Sequence, residues 1–401
     1  MTTKEIHTKF HFFLAMAIAF SLPLATLTPV FIVLMFLNWL IEGNFKNKFS
    51  VFFKNKLAIL FSLFFILHLV GLIYSTNMTF GLKDIEVKMS LFIFPLLLAT
   101  SSFKKQDVYK IMYSFVAGCF LCGIAMLSRA LYSYVSFGEN NFYYQSFAFL
   151  LHPSYLSMYI NLGVAFILLQ LTQLQTNGYK FICFLIISFF AVLIVLLSSK
   201  MGLISMLLIL FGFMLRYIVK FKKYVLGISG LFAAIVLCFC LIKFVPAFVS
   251  RFDSLIHSFK EKEIDKASIE STDVRRLVWG AAKKVVSKNI VFGVGTGDSK
   301  DALMEEYKAE GLVGAYDHKL NAHNEYFQVF VALGLVGFVL LLLNLFVPLM
   351  HSFKYSNTLY FIFILIIILN FAVESMFETQ AGVMFYAFFN SLLCFGLKTE
   401  D

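Results

Sequence analysis

Apolar residues in this chain fall into long uninterrupted runs, separated by short polar connections. Runs near 10–26, 28–42, 57–74, 88–101, 109–136, 153–172, 180–197, 201–219, 224–243, 323–348, 357–373 and 380–397 reach or approach the roughly 17–25 residues that carry a helix across a bilayer. The pattern predicts an all-α polytopic membrane protein with about twelve transmembrane helices. One polar stretch is much longer than the rest. The chain therefore divides into helices 1–9 over residues 1–243, a loop domain over 244–322, and helices 10–12 over 323–401. Lys4 and Lys9 before the first run resemble the start of a signal peptide, but a second run follows almost at once across Pro23 and Pro29, so the first helix is expected to be retained.

Composition removes the soluble alternatives. Of 401 residues 60% are hydrophobic and only 14% charged, with a mean hydropathy of +0.84, against roughly 25% charged in soluble domains. The net charge of +10 would suggest nucleic acid as the partner of a soluble protein. Here the partners are membrane lipids and no nucleic acid is expected, so the charge is read by side of the membrane. Connections on the side of the N-terminus hold sixteen Lys and Arg residues, and the short opposite connections hold four: Lys83, Lys88, Arg129 and Lys200. Both termini are then cytoplasmic and the loop domain lies outside. All six cysteines sit in apolar runs and read as buried thiols, including the Cys119/Cys122 pair, which has no companion pair and no polar neighbours.

Within the loop domain, Ser271-Thr272-Asp273 offers a helix start. Val274, Val278, Ala281, Ala282 and Val285 then recur at helical spacing, with Arg275 and Trp279 on an adjoining face. The charged stretch from Lys260 to Glu270 reads as solvated, and Gly293-Val294-Gly295-Thr296-Gly297 reads as a turn or an anion-binding nest, since the lysine of a nucleotide loop is absent. Polar sequence then runs straight into a span at Asn321–Gly337. If the segment is helical, His323, Phe327, Phe330, Gly334 and Gly337 share one face. His323 at such a boundary is either a functional group or an anchor at the lipid headgroups. His152 opens another span before Pro153, where it either lines a site or caps the helix. Asp317, His318 and His323 match no metal-ligand spacing, so no metal or cofactor is expected. Arg129, Glu374 and Glu378 receive no assignment.

The ordered set Arg275-x-x-x-Trp279, Gly293 to Gly297, His323-Asn324-x-Tyr326 and Gly334-Leu-Val-Gly337 resembles the O-antigen ligase and O-antigen polymerase superfamily. The resemblance implies a glycosyltransferase of lipopolysaccharide biosynthesis in the bacterial inner membrane, working at the periplasmic face on a polyprenyl-pyrophosphate-linked glycan, such as one carried on undecaprenyl pyrophosphate. Its acceptor would be lipid A core sugar for a ligase or a growing glycan for a polymerase. It further implies that Arg275 holds the donor pyrophosphate and that His323 is catalytic at the attacking hydroxyl, with His152, Asn324, Tyr326 and Trp279 lining the site. Lys200 stands where relatives often carry a pyrophosphate-binding arginine, and Ile290 where many carry a proline. Lysine keeps the charge and loses the bidentate fork.

The single late loop carrying the whole Arg–His block favours a ligase over a polymerase. A twelve-helix transporter would share the layout, but no internal repeat is evident and the candidate residues concentrate in one loop. The charge asymmetry makes a direct prediction. A cysteine introduced within 255–270 should react with a membrane-impermeant thiol reagent in intact spheroplasts, and one within 46–56 should not; the reverse pattern would overturn the orientation.

Overall fold

The computed structural model describes residues 2–221, 265–269 and 272–397, which form helices and connections without a strand. Before the long polar segment these helices are α1 (Thr3–Ser21), α2 (Thr28–Glu42), α3 (Phe45–Lys54), α4 (Lys56–Ile73), α5 (Met78–Lys88), α6 (Ser90–Ala99), α7 (Lys105–Phe137), α8 (Tyr144–Phe147), α9 (Pro153–Leu171), α10 (Asn177–Leu197) and α11 (Lys200–Phe221). After it come α12 (Asp273–Lys288), α13 (Ser299–Glu310), α14 (Val313–Asp317), α15 (Glu325–Lys354), α16 (Thr358–Phe371) and α17 (Gln380–Phe395).

Among the described residues, six helical stretches are long and apolar enough to cross a membrane: Thr3–Leu24, α4, α7, α9, α10 and α15. The pair α2 and α3 also qualifies but is bent by 116°, and would make a seventh; α16 and α17 are shorter apolar helices. The chain is thus an all-α, multi-pass membrane protein, and the described residues do not confirm the expected twelve spans. Two causes are visible. The run at 88–101 yields only the ten residues of α6, because the preceding α5 is rich in charge. The run at 224–243, like most of the charged stretch 260–270, lies outside the described residues.

The chain forms two compact units. In the unit made of Ala19–Leu27 and Met112–His257, α9 is largely enclosed and packs against α10 and α11. Asn161 donates to the Gly202 carbonyl at 2.9 Å, and a side chain at Gly202 would collide with Ser157, so the two helices meet at backbone distance. Arg129, counted among the outer connections, lies within α7 and is exposed; its guanidinium donates to the Ser146 carbonyl at 3.2 Å and lies over Phe149. Cys119, Cys122 and Cys183 are buried thiols here, as is Cys394 in the other unit.

The unit made of Met1–Ile18, Thr28–Ile111 and Ser258–Asp401 has α6 packed between α4 and α17, and α15 against α4 and α16. Phe94 meets Phe388 edge-on at 5.1 Å in this core. The polar helices build a smaller cluster. Val274, Val278, Ala281, Ala282 and Val285, the positions picked out by helical spacing, are all buried against Leu303, Tyr307, Leu312, Ala315 and Val331. Burying a Val or Leu side chain contributes about 1.5–3 kcal/mol, so this cluster seats α12 on the first turns of α15.

The first turns of α15 are not continuous with the rest. Gly334 has φ 62° and ψ −157°, a conformation open essentially to glycine alone, and it breaks the hydrogen-bond ladder. The freed groups pair with the glycine-rich loop. Val294 and Gly295 N–H donate to the Val331 and Ala332 carbonyls, both at 2.9 Å, while Leu335 and Val336 N–H donate to the Ile290 and Val291 carbonyls at 2.8 and 3.3 Å. Thr296 N–H reaches the Gly71 carbonyl of α4 and Gly297 N–H the Ser75 hydroxyl. The loop's N–H groups are therefore committed to protein partners, and the anion-nest reading of Gly293–Gly297 is set aside. The expected helical face from His323 to Gly337 also fails, since His323 precedes the helix and Gly334 interrupts it.

Alanine at Gly334 would strain the backbone and drive a Cβ into the Val291 carbonyl. Gly334→Ala should cost at least about 1–3 kcal/mol and lower the thermal midpoint of detergent-solubilised protein. An unchanged midpoint would show that the break can be rebuilt as ordinary helix.

Candidate functional site

Helix α12 carries Arg275 and Trp279 one turn apart beside its buried stripe, and Trp279 packs against the apolar cluster. Arg275 Nη2 donates to Glu374 Oε1 at 3.0 Å. The other oxygen of that carboxylate, Oε2, lies 3.8 Å from His323 Nδ1, an ion-pair separation longer than a hydrogen bond. Two residues predicted from sequence thus meet on a third that received no assignment. Glu374 is 9% exposed, Arg275 21% and His323 27% at their side chains, so the guanidinium and the imidazole face a carboxylate with little solvent screening. Arg275 Nε and Trp279 Nε1 are buried with no hydrogen-bond partner among the described residues.

His323 adopts φ 44°, a left-handed conformation that costs a non-glycine residue on the order of 1–3 kcal/mol. The Asn321 side chain accepts its N–H at 2.9 Å and holds the turn. The next two residues grip the connection that carries Glu374, and the third grips α16 before it. Asn324 caps α15 by accepting from Phe327 N–H at 3.1 Å; its amide donates to the Ala372 carbonyl at 2.9 Å, and its backbone N–H donates to the Ser375 hydroxyl at 3.1 Å. Glu325 Oε2 accepts from Phe377 N–H at 2.8 Å, and the Tyr326 hydroxyl donates to the Ile368 carbonyl at 3.2 Å. Asn324, expected to line the site, commits these polar atoms to the residues that flank its carboxylate, and the Tyr326 hydroxyl, also expected there, ties α15 to α16.

Beneath this connection lies a buried ionic group. Lys88 is 1% exposed and contacts Asp84, one helical turn back on α5, and Glu378 at 3.3 Å. His68 Nδ1 stands 3.9 Å from Asp84 Oδ2. Lys88 is therefore no loop charge, which removes one residue from the four counted on the outer side. Its signal in the sequence is the Asp84/Lys88 i,i+4 pair at the edge of an apolar run; nothing there points to Glu378.

Lys200 and His152 belong to the other unit. Lys200 begins α11 just after Ser198, which sits at φ 49°. His152 caps α9, its Nδ1 accepting from Ser154 N–H at 3.4 Å with Pro153 in the first helical position, which satisfies the capping reading.

Residues 181–342 match the family model described as O-antigen ligase. The matched segment contains Lys200, Arg275, Trp279, His323, Asn324, Tyr326 and Gly334, whereas His152, Asp84, Lys88, Glu374 and Glu378 lie outside it. No curated protein matches the chain.

Removing one member of a buried ion pair leaves a charge without compensation, at a cost of about 3–5 kcal/mol. Lys88→Ala should therefore lower the thermal stability of the purified protein far more than Lys83→Ala, made on an exposed position of the same helix. Equal effects would mean that the buried charges are compensated without the lysine.

Proposed function

We propose that this chain, a member of the O-antigen ligase-like superfamily through residues 181–342, transfers a polyprenyl-pyrophosphate-linked glycan onto a lipid A core sugar at the periplasmic face of the bacterial inner membrane. The observation that carries the reading is the meeting of Arg275 and His323 on Glu374, which brings a phosphate-binding cation and a proton acceptor to one place from separate elements. Both termini are then cytoplasmic and the segment 244–322 periplasmic.

Transfer from a lipid pyrophosphate requires charge stabilisation on the leaving group, and a guanidinium in a partly desolvated site supplies it without a metal ion. Arg275 takes this role, and the family resemblance gives Lys200 the same one. The attacking hydroxyl needs its proton removed as the new bond forms, and imidazole is suited to that task. His323 accepts the proton, the acceptor oxygen bonds to the anomeric carbon from the face opposite the pyrophosphate, and the glycosyl–phosphate bond breaks with its electron pair on the leaving oxygen. The anomeric centre is inverted. A polymerase would use the same chemistry on a glycan acceptor.

The test is transfer by purified enzyme in proteoliposomes, supplied with lipid-linked donor and core acceptor. His323→Ala should lower turnover by roughly 10²- to 10⁴-fold with donor binding kept, and wild-type turnover should fall on acidification, because a protonated ring accepts no proton. Arg275→Ala and Lys200→Ala should abolish or severely reduce transfer, Lys200→Arg should be tolerated, and EDTA should have no effect. Chelator-sensitive activity restored by metal would sink the metal-free mechanism, full activity of Arg275→Ala would remove the pyrophosphate role, and single-repeat capping in a deletion strain would replace the ligase by a polymerase.

A further inference from the structure

We infer that Glu374 is a positioning residue of this transfer: its carboxylate selects the tautomer of His323 that leaves Nε2 free to take the acceptor proton, and it occupies Arg275 until the donor pyrophosphate displaces it. The inference rests on the reading of Arg275 and His323 given above.

The atoms involved carry the argument. The carboxylate faces Nδ1 of His323, not Nε2. An ionised carboxylate only accepts hydrogen bonds, so the favoured neutral ring has its proton on Nδ1 and its lone pair on Nε2. The same group neutralises the imidazolium that forms once Nε2 has taken the hydroxyl proton, and is itself not protonated in the step. The 3.8 Å separation is loose for a hydrogen bond, as is common before substrate draws a site together.

The connection is held for this purpose. Ala372, Ser375 and Phe377, which flank Glu374 on both sides, are each bonded by Asn324 or Glu325, the two residues that follow His323. Base and carboxylate are thus referenced to one short stretch of backbone. Arg275 offers five donors, of which Nη2 meets Glu374 and Nε has no partner among the described residues. A pyrophosphate carries more charge than a carboxylate and can engage two guanidinium nitrogens at once. It therefore competes with Glu374 for Arg275, so that donor binding is linked to the carboxylate whose other oxygen faces His323.

Glu374→Gln tests this. The amide keeps the shape but donates where the carboxylate accepted, which favours the proton on Nε2 and disables the base. Turnover should fall by about 10²-fold or more, while the KM for lipid donor stays level or drops, because Arg275 has lost its competing anion; Glu374→Asp should recover part of the turnover. The double variant Glu374→Gln/His323→Ala should be no slower than His323→Ala alone, since both act through one ring. Wild-type turnover of Glu374→Gln, or a double variant slowed by the product of the two single losses, would overturn the inference. If His323→Ala and Arg275→Ala are both fully active, the reading of the site itself has failed; if they are inactive while Glu374→Gln is normal, only the role of Glu374 falls.

Discussion

An interrupted helix inside an apolar environment survives only if every freed N–H and C=O finds another partner, because lipid offers none. Gly334 creates such an interruption in α15, and the backbone of residues 290–295 satisfies it from both sides. This fixes more than a loop. The strand of backbone that fills the break follows directly on α12, so the pairing sets where α12 ends, and the apolar cluster that includes Val331 sets how it lies. Arg275 is thereby placed relative to the start of α15, where His323 stands. The same loop is tied to α4 through Gly71 and Ser75, and Asp298, just beyond it, accepts from Thr76 and Asn77 N–H at 2.8 and 2.7 Å. A glycine break thus joins three elements by backbone hydrogen bonds, whose geometry leaves little freedom in register.

On the opposite side of the site the constraint is made by side chains. His323, Asn324, Glu325 and Tyr326 direct polar atoms at Glu374, Ala372 and Ser375, Phe377, and Ile368 respectively. His323 and Asn324 stand before the helix, while Glu325 and Tyr326 open its first turn. The left-handed turn at His323 and the extended conformation of Asn324 bring those two residues to bear on the connection that Glu325 also holds, and Tyr326 reaches α16 beside it. Backbone strain at His323 is matched by the bonds made immediately after it.

These two constraints differ in how far they could be read from sequence. The stripe Val274, Val278, Ala281, Ala282 and Val285 was legible because amphipathic spacing records burial directly, and most apolar runs became helices near their expected ends. Arg275 and His323 were legible as a pair through the family resemblance, and the family match covers both. The break at Gly334 was not, because glycine in an apolar run equally suits close helix packing, and only the partner loop distinguishes the two. Glu374 was invisible for a related reason: it lies 99 residues from Arg275, and a carboxylate beyond a span has no local signature of what it meets. Lys88 was misplaced by the rule that assigns lysines at span ends to the interface, a rule that takes no account of Asp84 and Glu378.

The buried ionic group gives these observations a physical order. Taking Lys88, Asp84 and Glu378 out of water is costly, and an apolar replacement of like volume is often as stable or more so; stability alone does not account for the arrangement. What the group supplies is direction. Lys88 draws Glu378 inward from α5, while Glu325 holds Phe377 from α15, so the short 3-10 turn Met376–Glu378 is gripped from two helices at adjacent residues. Glu374, a few residues earlier and itself buried, then has a fixed base from which to face Arg275 and His323. The interior charges act on the site through backbone position, while Glu374 meets Arg275 and His323 through its two carboxylate oxygens.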